Sequence, residues 1–308
     1  MKGTIKYLKH QEIDFIKWDN AIEKSYNGLV YAYSFYLNAM SNSRWDALVY
    51  GDYEAVFPLV WNQKFGFKYL YQPYFIQQLG LFSKHKITTQ FLDEFIQAIP
   101  SKFRYWNIQL NSENVTFNHG ISFINRTTYQ INLNKDYISI YDNYNADAKK
   151  NIAKSTQIGF DVKLNYDLSL VVDTFFDAYG LHYPNQILLR KQIKHCIESA
   201  SNSNKGFSRS IYGLDGKLWC VGYFFMAHGY IHYAIAAPTD EGKKFAATHL
   251  LIDEVIKEFS GQKLIFDFEG SDIKSVAYFY SKFGSVPKYY LQIKRNRLPF
   301  WCRFLKKD

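Results

Sequence analysis

The sequence predicts an α/β fold with a mixed sheet, built as two copies of one lobe in tandem. Three observations carry that expectation. One order of elements (helix, helix, strand meander, helix, strand) runs through the first half of the chain and again through the second. A hydrophobic content of 47% over 308 residues is enough for two ordinary domain cores. A polar stretch over residues 133–144, flanked by Asn132 and Asn145, has the composition of a junction. The repeat is one of pattern and not of residues. It places the first lobe at 1–138 and the second at 139–308, with a basic aromatic tail over 294–308.

In the first half, apolar spacing predicts helices over 11–24 and 33–42 and strands over 44–50 and 54–61, with Gly51-Asp52 as the turn between the strands. A helix over 89–99 precedes strands at 104–110 and 127–133. In the second half, 168–179 and 186–200 are helical. Residues 207–214 and 218–227 form a hairpin across Asp215-Gly216. A strand at 230–236 leads into a long helix over 244–259.

The most informative segment is 263–284, which packs a strand, a sharp turn and a capped helix together. Residues 263–268 form a short apolar run bounded by Gly261 and Gly270, the pattern of a buried strand. Asp267 and Glu269 are two residues apart, so on a strand they share a face. Ser271 or Asp272 can cap the helix that follows, whose free N–H groups favour negative charge. Ile273, Val276, Ala277, Phe279, Tyr280 and Phe283 make its apolar stripe, and Gly284 ends it. Burial explains the stripe as a whole. Tyr280 stands out, because a phenol on the edge of such a stripe needs a polar partner or a cleft.

Phe279-Tyr280-Ser281-Lys282-Phe283-Gly284 resembles the LYxKxGF helix end that closes the acetyl-CoA site in the GNAT superfamily of N-acyltransferases. Asp267-Phe268-Glu269-Gly270-Ser271 is similar to a signature of its two-lobed branch, which holds the Fem-type peptidoglycan aminoacyltransferases and acyltransferases with a BioF2-like domain. The resemblance extends to the segment from Tyr71 to Gly80, to Arg126-Thr127-Thr128-Tyr129, and to Lys149-Lys150-Asn151-Ile152-Ala153-Lys154, which is similar to the basic helix opening the second lobe. It implies tandem GNAT-like lobes. The stretch from Asn111 to Gly120 stands as a polar loop where the first lobe lacks a capped helix, so the second lobe is expected to hold the complete site.

Acyl transfer to an amine needs a neutral amine, donors for the developing oxyanion, and an acid for the leaving thiolate or ribose hydroxyl. The resemblance matches Tyr280 to the superfamily's frequent general acid. Glu269 or Asp267 can take the amine proton, with Glu269 preferred; a helix cap or a lysine partner explains the carboxylates equally well. The implied donor is acyl-CoA, a co-substrate and not a resident cofactor. CoA-binding relatives place Q/RxxGxG/A before the long helix, where backbone N–H groups cradle pyrophosphate. Here the run from Glu241 to His249 has a single early Gly242. Lys243, Lys244, Phe245, Ala246 and Thr248, with Ser271, are the candidates to meet the donor, against the plain alternative of a solvated helix start. Tyr74, Gln77, Gln78, Lys150 and His249 are the candidates for the substrate.

A formal charge of +9 suits an anionic partner: a phosphorylated cofactor, a nucleic acid or an acidic membrane surface. Lys149, Lys150 and Lys154 read either as a solvated face or as phosphate contacts for aminoacyl-tRNA. No recognised RNA-binding module is present, and DNA is not expected as a partner. Three scattered cysteines, no apolar leader and no run of about 20 apolar residues point to a cytoplasmic enzyme. The tail mixes Lys294, Arg295, Arg297, Arg303, Lys306 and Lys307 with large aromatics, which suits either an anionic membrane at the inner face or packing on the first lobe. A membrane-bound or cell-wall precursor would then supply the amine. His228 and His232 are four apart, but Gly229 breaks the helix that would pair them, so no metal site is expected. Three functions stand open: acyl-CoA-dependent N-acyltransferase, aminoacyl-tRNA-dependent Fem-type transferase, and a binding protein that kept the fold without catalysis.

Overall fold

The computed structural model describes residues 3–117, 120–165, 167–270 and 272–300. The chain divides into two compact units: Met1–Arg126 rejoined by the chain from Tyr289 onward, and Thr127–Lys288.

The first unit runs β1 (Ile5–Leu8), α1 (Phe15–Lys24), α2 (Ser34–Ser41), β2 (Trp45–Tyr50), β3 (Ala55–Lys64), β4 (Phe67–Leu70), β5 (Phe82–Ser83), α3 (Thr89–Gln97) and β6 (Phe103–Gln109). β1 to β4 pair antiparallel in sequence order, β5 pairs with β3, and β6 joins β4 in parallel. α1 starts where the Asp14 carboxylate accepts from the amides of Ile16 and Lys17, and it buries Trp18 and Ile22 one turn apart. α3 buries Leu92, Phe95 and Ile96 in a core with Phe57, Trp106 and Ile108.

β7 (Ser122–Asn132) carries the chain into the second unit. There follow α4 (Tyr137–Tyr141), α5 (Ala146–Ile158), β8 (Phe160–Leu164), α6 (Leu168–Tyr179), α7 (Gln186–Asn202), β9 (Gly206–Gly213), β10 (Leu218–Ala227), β11 (Tyr230–Pro238), α8 (Asp240–Lys244), α9 (Ala247–Phe259), β12 (Ile265–Asp267) and α10 (Lys274–Ser281). β8 to β11 pair antiparallel, β12 joins β11 in parallel, and β7 pairs antiparallel with β12. α9 lays Leu250, Leu251, Val255 and Ile256 into a core with Phe224, Ile231 and Phe266. Arg209 of β9 ties its C-terminal end down through two bonds to Glu258, at 2.9 and 2.6 Å.

The expected duplication is present. Each unit has a strand, two helices, a three-stranded meander, a helix, and a strand parallel to the meander's third. The junction lies elsewhere than expected, at 126/127. Residues 130–132 of β7 already pair with β12, and the polar stretch beyond them is capped helix: Asp136 accepts from the Ser139 amide to start α4. The described part of the tail lies with the first unit, one of the two readings open for it. β13 (Val286–Asn296) pairs through Gln292 to Asn296 with β6, and Leu298 packs on Tyr105, all within the first unit. Residues 301–308 of the tail lie outside the described residues.

The helix expected over 244–259 is present as α9, starting at Ala247; the short α8 precedes it, and Ala246 between them is in the left-handed region at φ 54°. Gly242 lies in α8. Its Cα lies so close to β10 that a Cβ there would sit 1.8 Å from the Trp219 carbonyl oxygen, so this turn is pressed onto the strand. The strand expected over 263–268 is shorter, because the turn begins directly after Asp267. The sequence reading did not place β1, β4, β8 or β13.

Candidate active site

The site is built where β11 and β12 part. Their parallel ladder pairs Tyr230 with Ile265, Ile231 with Phe266 and His232 with Asp267, and then ends. β11 continues to Pro238 with β10 as its partner. Just beyond the last pair with β12, the β10–β11 register slips between Tyr223 and Phe224, whose partners are Ile235 and Tyr233; Ala234 is the extra residue. Such a bulge bends its strand. An open notch at the exit of parallel strands is a common place for ligands in α/β proteins.

Asp267 and Glu269 do not share a strand face, as expected of them, because the strand ends between them. Asp267 is buried and fully engaged: its carboxylate accepts from Thr128 Oγ1 at 2.5 Å, Gln130 Nε2 at 2.7 Å and the Glu269 amide at 2.9 Å. Three donors leave it little capacity as a base. It is the post on which the turn is hung. Glu269 follows in the left-handed region at φ 55°, with Gly270 at φ 49° behind it. A non-glycine residue there carries backbone strain and is sustained by its surroundings. Its Oε1 lies 3.5 Å from Nδ1 of the buried His232.

Tyr280 projects from α10 onto the same strand exit. Its ring stacks on Phe268, with centroids 4.6 Å apart, and meets Tyr233 edge-on at 6.2 Å. Burial, then the charge of Glu269, then Tyr179, Asp267 and Tyr183 hold its phenol above the ordinary 10. Burial also raises Tyr233 and Tyr179. Phenols from α6, β11 and α10 thus act on one another, and the Tyr280 phenol also meets the charges of Glu269 and Asp267. Sequence reasoning pointed to Tyr280 and Glu269 and weighed His232 only as a metal ligand; it did not point to Tyr179, Tyr183 or Tyr233, which come from other elements and carry no local signature. The Arg126 to Tyr129 motif pointed at Thr128 without its role.

The remaining candidates fall into three groups. Lys243 and Lys244 are exposed and paired one turn back along their own helix, with Asp240 at 2.8 Å and Glu241 at 2.7 Å. Phe245 stacks on Trp219 at 4.6 Å, and Ala246 caps α9. Thr248 bonds to the buried Cys220, whose thiol burial pushes up to about 12. The amides of Gly242, Lys243, Phe245, Ala246 and His249 all donate within the chain. Ser271 lies outside the described residues.

The basic helix is present as α5. Lys149 and Lys154 donate to the carbonyls of Asp142 and Lys244, and Lys150 is exposed. His249 packs its ring on Phe279 and Phe283; burial, with Lys282 adding, lowers it to about 4. Tyr74, Gln77 and Gln78 belong to the first unit. Tyr74 is exposed, whereas Gln78 is buried and bonds to Gln77 Oε1 and the Ser112 amide.

No family model matches the chain, and no curated protein matches it. Solved structures do. The fold is similar to FemX (TM-score 0.70, 11% identity, covering 97% of this chain and 99% of that one). It is also similar to the C-terminal domain of a putative lysylphosphatidylglycerol synthetase from Agrobacterium fabrum (0.57, 8%, 92% of each chain). A third is a tandem GNAT protein from the clavulanic acid biosynthesis pathway (0.51, 11%, 96% and 99%). At these identities the likeness is one of fold alone: the two-lobed fold shared with FemX and the tandem GNAT protein.

Proposed function

We propose that the protein is an N-acyltransferase acting at the β11–β12 notch, and that its donor is an acyl ester of the aminoacyl-tRNA kind. The observation that carries the reading is the raised phenol of Tyr280 beside Glu269 at an open strand exit. The acceptor amine attacks the acyl carbonyl and forms the new C–N bond. Glu269 takes the amine's proton as the tetrahedral intermediate collapses. Tyr280 gives its proton to the departing ribose oxygen as the C–O bond breaks, and the proton on Glu269 restores the phenol through solvent.

Two arguments favour an ester over a thioester. A thiol's ordinary pKa is about 8.5, so a thiolate leaves with little help and draws a proton poorly from a phenol held above 10. An alkoxide is a far stronger base and gains most from such an acid. The second argument is the α8–α9 connection: a pyrophosphate cradle needs free amides, and five in this segment are already committed. The names of two similar structures, FemX and a putative lysylphosphatidylglycerol synthetase, accord with this choice.

The test follows a radiolabelled amino acid from charged tRNA into base-stable, acid-soluble amides in the presence of a small-molecule cell extract, with labelled acetyl-CoA as the parallel donor. Transfer from the tRNA ester that Tyr280→Phe abolishes while retaining tRNA binding supports the reading. Transfer from acetyl-CoA, together with a saturable thermal shift by CoA, would replace it with the thioester account. Ligand binding without turnover in the wild type would favour a binding protein.

A further inference from the structure

We infer that His232 is a positioning residue that holds the Glu269 carboxylate at the strand exit through its Nδ1–H. The inference rests on the reading of Glu269 as the base, and its geometry stands apart from that reading. The parallel register sets His232 directly across from Asp267, at the last rung before the strands part. The Asp267 carboxylate is filled by Thr128, Gln130 and the Glu269 amide. The carboxylate left beside the imidazole is therefore that of Glu269, with Oε1 3.5 Å from Nδ1. Side chains on both sides of this contact are withdrawn from water, to 2% and 12% exposure, so a polar contact there is worth more than at the surface. Tyr230 fixes the ring plane, stacking on His232 at 5.5 Å and 16°.

The need for such a support is local. Glu269 sits at φ 55° with a glycine behind it, outside any regular element. Its backbone is pinned by the Asp267 carboxylate, and the imidazole contact lies at the other end of the residue, at its own carboxylate. A neutral imidazole supplies this contact without cancelling the negative charge that a base requires. Burial keeps the ring neutral, lowering it to about 4 against the opposing pull of Asp267, with His228 adding in the same direction as burial. The contact then orients Glu269 through the neutral pH range.

The first readout is ring nitrogen NMR on histidine-labelled protein, with the His232 signals assigned by their loss in His232→Asn. The Nδ1–H tautomer is expected; the Nε2–H tautomer would place a lone pair against the carboxylate and overturn the inference. The second is the titration of Glu269 in carbon-labelled protein, assigned through Glu269→Gln. Removal of the donor in His232→Leu should raise its apparent pKa by about one unit, while His232→Asn, which keeps an N–H near the Nδ1 position, should restore it. An unmoved titration in both variants sinks the proposal. Where transfer is measured, His232→Leu should lower kcat and shift the acid limb of the pH profile upward, with KM for the donor unchanged. If the wild type transfers nothing and the tautomer and titration behave as stated, the tie to Glu269 stands and the catalytic reading fails. If His232→Leu does not fold, the tautomer and the His232→Asn titration still decide.

Discussion

The two units treat the same place in their sheets in opposite ways. In the first, β4 and β6 part after Leu70 and Trp106, and the chain then closes the gap with its own backbone. Leu79 bridges Leu110 in parallel, its amide donating to the Gln109 carbonyl at 2.8 Å and its carbonyl accepting from the Asn111 amide at 2.7 Å. The side chains of Asn27, Asn111 and Asn114 all donate to the Leu81 carbonyl, and Asn114 Oδ1 takes the Leu81 amide. Gly80 at φ 103° is required, since a Cβ there would lie 2.4 Å from Asn114 Oδ1. In the second unit, no described backbone bond joins β11 and β12 beyond the His232–Asp267 rung, and the strand exit carries a carboxylate and a phenol instead. One sheet design thus gives one end held by amides that saturate each other and another at which a carboxylate and a phenol stand. Saturated amides stabilise; a strained glutamate and a raised phenol are the groups that the proposed transfer uses.

That contrast can be broken by exchange of roles. Tyr280→Phe should cut transfer by about 100-fold or more with the melting temperature unchanged, whereas Asn114→Ala should leave the turnover of the folded protein as it was. Equal losses in both would erase the distinction. Asn114→Ala should instead cost about 2 to 4 kcal/mol of stability in urea unfolding, because it strands the buried amide and a share of the carbonyl of Leu81. A loss below about 0.5 kcal/mol would mean that water replaces the asparagine and that the end is not sealed.

Titration sharpens the comparison, because the strongly shifted histidines belong to the second unit. His232 and His249 fall from 6.5 to about 4, so the unfolded chain binds protons that the folded one does not. Their contribution is complete above about pH 6.5 and drains as the pH falls toward about 4. Asp253, raised by burial from 3.8 to about 6, acts in reverse: the folded state keeps a proton, and its contribution is lost as the pH rises through that window. Melting temperatures between pH 4 and 8 should therefore fall on acidification, less steeply in His249→Gln and more steeply in Asp253→Asn. The smallest effect is expected at Lys243 and Lys244. Alanine at both should leave stability and tRNA retention within scatter, since exposed pairs one turn apart add little. A large loss of donor binding would return the phosphate to α8.

Much of this was legible in the chain. The repeated element order announced two lobes, and the polar run from Asn111 was legible as a loop, although only the hydrogen bonds explain how that loop closes the strand exit. The 263–284 segment gave Tyr280 and Glu269, because a short apolar strand, a glycine turn and a helical stripe are local signals. The junction was not legible. β7 and β13 each leave one unit and pair in the other, and strand partnership over such separations has no local code. The partners of Asp267 were not legible for the same reason: Thr128 and Gln130, which donate to it, lie more than a hundred residues away.

By itself, then, the sequence determined the α/β class, the duplication and the two residues that stand at the strand exit, all of which follow from periodicity and turn chemistry within a few residues. The tertiary structure decided which donors occupy Asp267, which phenols stand near Tyr280, and which strand exit is closed by backbone bonds. Those depend on hydrogen-bond capacity and burial, and both are set by partners that meet only when distant strands pair.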